Sequence, residues 1–126
     1  PDMNGNFVPK VLLNADNWKW TNLTNYDTFI FAPSLIQFIH RLLAYILLLL
    51  TGFVYFKYKH KVYKTSKFWL NNIMLLVVVQ ISLGILTVLN VNPGIPLFYG
   101  VAHQLVGLLF YISLLFLFYS LRKVFN

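Results

Sequence analysis

Of 126 residues, 59% are apolar and 10% are charged, and the mean hydropathy is +0.68. A chain of that length and composition is not a soluble domain. Ten basic residues against three acidic ones leave a net charge of +7, and the absence of cysteine excludes disulfides, thiolate metal sites and thioether-linked prosthetic groups.

The chain opens on a polar, Asn-rich lead, residues 1–34, with no apolar core that would make it a cleavable signal peptide. It is expected to be an outer-side loop, and insertion must rest on later spans or on sequence upstream. Three apolar stretches follow, 35–56, 68–89 and 97–121, each long enough to cross roughly 30 Å of hydrocarbon as a helix. Residues 35–126 therefore form one region of an all-α integral membrane protein with three antiparallel transmembrane helices. Pro33-Ser34 is expected to cap the first span and Thr65-Ser66 the second, and Pro96 to open the third after a tight Asn-Pro-Gly-Ile-Pro turn. The start at Pro1, without an initiator Met, and the odd number of spans are expected of the C-terminal piece of a larger protein.

The segment between the first two spans, KYKHKVYKTSK, holds five lysines, and Arg122 and Lys123 follow the third. That side is expected to be cytoplasmic, or matrix in a mitochondrion, with the lead and the uncharged 90–96 turn on the outer side. Topology accounts for the lysines without a nucleic-acid partner. The aromatics at the span ends, including Phe53, Tyr55, Phe56, Phe68, Trp69 and Phe98, read as an interfacial belt.

His40 lies five residues into the first span and His103 six into the third, and both spans start on the outer side. The two imidazoles are then expected at nearly one depth, roughly 8 to 9 Å below the boundary. One intramembrane histidine is explained by an interhelical hydrogen bond; two at matched depth suit bis-imidazole ligation of haem iron. Gly100 and Gly107 flank His103 on its own face and Ala44 follows His40 by a turn, so small residues either leave a gap for a macrocycle or let helices pack closely. Arg41 either snorkels to water or pairs with a haem propionate. Gln37, His40, Ala44 and Thr51 form one polar or small stripe, and Gln80, Gly84 and Thr87 another. Both are expected to face the interior, Gln80 and Thr87 as interhelical glue or more. His60 in the lysine loop is expected to be solvated. The acids Asp2, Asp16 and Asp27 all lie in the lead, so no hydrolytic constellation forms and redox or electron transfer is the chemistry left.

The strings LIQFIHRLLAY around His40, QISLGILTVL in the second span and VAHQLVGLL around His103 are similar to the C-terminal half of haem A synthases of the mitochondrial and alphaproteobacterial type. The lead PDMNGNFVP resembles that family's outer loop before its sixth helix, so the resemblance covers nearly the whole chain.

The resemblance implies an eight-helix protein built as two four-helix haem-binding bundles, which oxidises a methyl group of haem O to the formyl group of haem A. The present spans belong to the second bundle. The family's other half carries a Glu-x-x-His-Arg motif whose glutamate is linked to catalysis; here that position is Gln37. An amide does not exchange protons as a carboxylate does, so no catalytic residue is assigned here. His40 and His103 map onto the axial ligands of a b-type relay haem, with Gln37, Arg41 and Gln104 beside them as cofactor contacts. Implied partners are membrane lipid, the N-terminal half of the same protein, haem O synthase and cytochrome oxidase assembly factors, in a bacterial plasma membrane or the mitochondrial inner membrane. Lacking the fourth helix of its bundle, the chain alone is expected to bind haem weakly and to make no haem A. Two other readings stand beside this one: a membrane b-type cytochrome subunit serving another dehydrogenase, and a structural membrane protein whose histidines only hydrogen-bond.

Overall fold

A computed structural model of the chain describes residues 6–24, 29–90 and 97–125, with the backbone alone for residues 123–125. Two short helices, α1 (Lys10–Leu13) and α2 (Trp20–Thr24), precede three long ones, α3 (Phe31–Tyr58), α4 (Lys64–Leu89) and α5 (Leu97–Phe125). There is no β-strand among the described residues. The three long helices are apolar enough to cross a membrane. The shortest, of 26 residues, rises ~39 Å at 1.5 Å per residue, more than the hydrocarbon requires. The chain is an integral membrane protein of all-α architecture, as expected. Large apolar side chains such as Leu49, Leu89 and Phe118 stand uncovered along these helices; in hydrocarbon that exposure carries no penalty.

The chain divides into two compact units, Pro1–Tyr45 and Ile46–Asn126, with the boundary inside α3. In the first unit the described part of the lead forms short helical turns. Its asparagines close the ends of short helical turns. Asn14 accepts from the Asp16 amide at 3.0 Å, opening a 3-10 turn over Ala15–Asn17. The Asn17 side chain donates to the Val11 carbonyl at 2.9 Å, and that of Asn22 to the Asn17 carbonyl at 2.9 Å. The Trp18 indole donates to the Leu12 carbonyl at 2.9 Å. Each contact satisfies a carbonyl or amide that a short helix leaves without an internal partner. Trp18 also meets Phe31 edge-on at 5.2 Å, and Phe31 is fully buried.

The expected cap of the first span, Pro33-Ser34, falls inside its helix. α3 begins at Phe31, so Pro33 is its third residue, where a missing N–H costs no helical hydrogen bond. Ser34, expected in the cap, is buried inside the first turns, its amide donating to the Ile30 carbonyl at 3.1 Å. The second span is corrected in the same way. α4 starts at Lys64 after an extended Tyr63, with no side-chain cap, and Ser66 is buried against α5 instead. The expected Pro96 start of the third span and most of the turn before it lie outside the described residues.

In the second unit α4 and α5 run antiparallel. Ser66 Oγ lies 3.0 Å from Ser120 Oγ, the Asn72 amide donates to Ser113 Oγ at 2.8 Å, and Trp69 stacks on Phe116 at 4.6 Å. Beyond the Asn72–Ser113 pair Ile73, Val77 and Phe110 form the buried core, with Leu48 of α3 and Met74, Leu76, Ile81 and Leu117 packed around it. At the basic end, Lys57 Nζ lies 5.1 Å from the Phe53 ring centre and Lys59 Nζ 5.0 Å from that of Phe56. These cation–π contacts suit aromatics and lysines at a membrane–water interface.

Phe31→Ala is expected to destabilise the first unit by about 3 kcal/mol, the cost of emptying a buried aromatic site. Limited proteolysis of the lead in membranes checks it, faster cleavage between residues 14 and 30 being the expected result.

Candidate functional site

The polar centre of the second unit is His103 on α5 packed against Gln80 on α4. His103 Nδ1 lies 3.0 Å from the Gln80 main-chain oxygen, and His103 Nε2 lies 3.1 Å from the Gln80 side-chain nitrogen. A carbonyl oxygen only accepts, so Nδ1 carries the proton. The Nε2 lone pair then accepts from the Gln80 amide. That tautomer also fixes the amide's orientation, because turning Oε1 toward Nε2 would set two lone pairs against each other. Gln80 Oε1 is left buried without a partner, an omission that costs about 1 to 3 kcal/mol.

Two glycines make room for this pair. A Cβ on Gly84, one turn after Gln80, would stand 3.2 Å from His103 Cε1 and 3.5 Å from Nδ1. A Cβ on Gly107, one turn after His103, would stand 3.2 Å from the Gln80 side-chain nitrogen. Each glycine thus faces the large polar side chain of the opposite helix. Of the two glycines expected to leave a gap beside His103, Gly107 is filled by Gln80, whereas Gly100 has no described neighbour within 4 Å of a Cβ. Thr87, the last member of the α4 stripe, donates to the Leu83 carbonyl of its own helix at 2.8 Å.

His40 belongs to the first unit and is exposed on α3, as is Gln37; Ala44 is half-buried, and Thr51, in the second unit, is buried. The expected inward stripe of α3 is therefore covered at its Thr51 end and uncovered at its Gln37–His40 end. Gln104 is exposed on α5, and His60 is exposed in the turn between α3 and α4. Because α3 starts at Phe31 and α5 at Leu97, His40 is nine residues into its helix and His103 six. Helix ends therefore do not establish equal depth; where the bilayer boundary crosses α3 does.

Arg41 is held by the lead. Its Nη2 donates to the Phe7 carbonyl at 2.7 Å, and the guanidinium carbon lies 5.7 Å from the Phe7 ring centre and 6.0 Å from that of Phe38. Phe7 in turn stacks on Tyr45 at 6.3 Å. Neither open alternative for Arg41 foresaw a main-chain partner 34 residues away. The donation from Asn72 to Ser113 was likewise unforeseen; its signal was an asparagine set among Leu, Ile and Met in an apolar span. No group of three or more His, Asp or Glu side chains capable of enclosing a metal exists among the described residues.

The model of the COX15-CtaA family, described as cytochrome oxidase assembly protein, matches residues 1–115. The heme A synthase of Pelagibacter ubique is 36% identical over 112 residues, 86% of this chain and 29% of that protein. The heme A synthase of Roseobacter denitrificans is 30% identical over 91% of this chain and 28% of its own length, and that of Nitrosospira multiformis 30% identical over 98% and 32%. The chain thus spans about three tenths of the length of these relatives. No solved structure matches it. With the family model aligned over both histidine-bearing helices and the lead, the chain belongs to the cytochrome oxidase assembly protein family.

Proposed function

We propose that this chain is the haem-b-holding, electron-relay part of a haem A synthase, with His40 and His103 as axial ligands of one haem. Three things support the reading: membership of the family, relatives that are haem A synthases, and the state of His103. The last carries it. An imidazole that serves as an iron ligand commonly donates its other N–H to a main-chain carbonyl, which fixes the ring and keeps the ligating nitrogen deprotonated. His103 has that arrangement, with Nδ1–H on the Gln80 carbonyl and the lone pair on Nε2. The donor set therefore fits haem. When bound, haem supplies a one-electron iron couple.

The chain's own residues would divide the work. His103 and His40 hold the iron, Gln37 and Gln104 line the site, and Arg41 offers a cation to a propionate while the lead keeps its guanidinium in place. The apolar helices exclude water from the macrocycle. Gln37, which stands where the family's catalytic half has glutamate, takes no proton, so oxidation of the haem O methyl group belongs to the rest of the protein. The lysine-rich segment from Lys57 to Lys67 lies on the cytoplasmic or matrix side by its charge, and haem O synthase and oxidase assembly factors are the expected partners.

In the natural full-length protein, His40→Ala and His103→Ala are each expected to abolish the absorption band of one low-spin haem in the reduced spectrum. A band unchanged in both variants would overturn the assignment. Orientation has its own check, since the chain contains no cysteine. A His60→Cys variant should react with a membrane-impermeant maleimide in inside-out vesicles and be protected in intact cells; the reverse result places the lysine turn outside.

A further inference from the structure

Gln80 does more to His103 than fill space. Its main-chain oxygen and its side-chain nitrogen engage the two ring nitrogens of one imidazole, at 3.0 and 3.1 Å. We propose that Gln80 is the positioning residue of His103, its carbonyl setting the tautomer and its side-chain amide acting as a latch that occupies Nε2 and leaves it when Nε2 ligates iron. The proposal rests on the reading of His103 as an axial ligand.

The two contacts differ in permanence. The carbonyl is part of the α4 backbone and stays where the helix is. The amide stands on two methylene groups and turns without moving either helix. It also gives up little by leaving, because in the latched position Oε1 is buried without a partner. An iron-ligating nitrogen needs its lone pair, and that lone pair is the one the amide now uses. Ligation and latching are therefore mutually exclusive at Nε2, whereas the Nδ1 contact is compatible with both. Gly107 determines whether the latch has room. The three atoms nearest to a Cβ there all belong to the Gln80 side chain, its nitrogen at 3.2 Å, its Cδ at 3.7 Å and its Oε1 at 3.8 Å. A methyl group at position 107 thus crowds the latch from the opposite helix, with the amide as its first contact.

The test is titration of haemin into the natural full-length protein, purified in detergent and stripped of haem, with the low-spin band as the readout. Gln80→Leu removes the amide at nearly constant volume, Gln80→Asn shortens it beyond reach of Nε2, and Gly107→Ala pushes it aside. All three are expected to bind haemin about three- to tenfold more tightly than the unaltered protein, the range set by one competing hydrogen bond. A merely structural role for Gln80 predicts the opposite, weaker binding in all three. Equal or weaker binding in the variants, with His103→Ala losing the band, overturns the latch and leaves the ligand assignment intact. Should His103→Ala keep the band, the assignment on which the latch depends has failed. If Gln80→Leu does not fold, Gly107→Ala and Gln80→Asn decide the matter alone.

Discussion

The structure of the second unit depends on a steric condition between α4 and α5: a histidine and a glutamine must pass each other between two helices. A Cβ at either facing position would stand 3.2 Å from one of these side chains, and Gly84 and Gly107 leave that space open. Each glycine lies one turn beyond the polar residue of its own helix, so the arrangement is reciprocal across the antiparallel pair. This is the small-residue logic of membrane helix packing, used here to admit polar groups as well as to bring backbones together. Hydrocarbon offers no alternative partners, so the imidazole and the amide find each other.

The rest of the α4–α5 interface follows from that register. With Gln80 opposite His103, Asn72 falls opposite Ser113 and Ser66 opposite Ser120, and the apolar core of Ile73, Val77 and Phe110 fills the space between. Hydrogen bonds of this kind contribute about 0.6 kcal/mol each in membranes, with a maximum near 1.7. Their greater effect is directional. A slip by one turn would break all three polar contacts at once and bring Cβ atoms against the histidine. The register that aligns the helices also keeps the His103 tautomer in place.

The first unit solves a different problem, that of anchoring a polar lead to an apolar helix. Phe7 lies beside Phe38 and Tyr45 and accepts a hydrogen bond from Arg41, so one guanidinium meets a carbonyl and two ring faces. Trp18 and Phe31 add a second attachment, and the asparagines close the turns between them. A cation fixed in this way loses less entropy on binding an anion than one that snorkels freely.

Sequence alone was sufficient for the three spans and the all-α membrane class. Those properties follow from hydropathy, length and a short inventory of polar side chains, all of them local. Gln80, Gly84, His103 and Gly107 were each visible as polar or small residues at helical spacing. Their pairing was not, because it depends on the register between two helices, and no single helix contains that information. The helix starts at Phe31 and Lys64 were missed for a related reason. Ser34 and Ser66 have the chemistry of caps, and only burial against other elements shows that they are used elsewhere. Likewise the Arg41 contact with Phe7 spans 34 residues of chain, a separation over which only the tertiary structure chooses partners. Spacing identified His103 as a candidate ligand; the packing of α4 against α5 decided which of its nitrogens holds the proton.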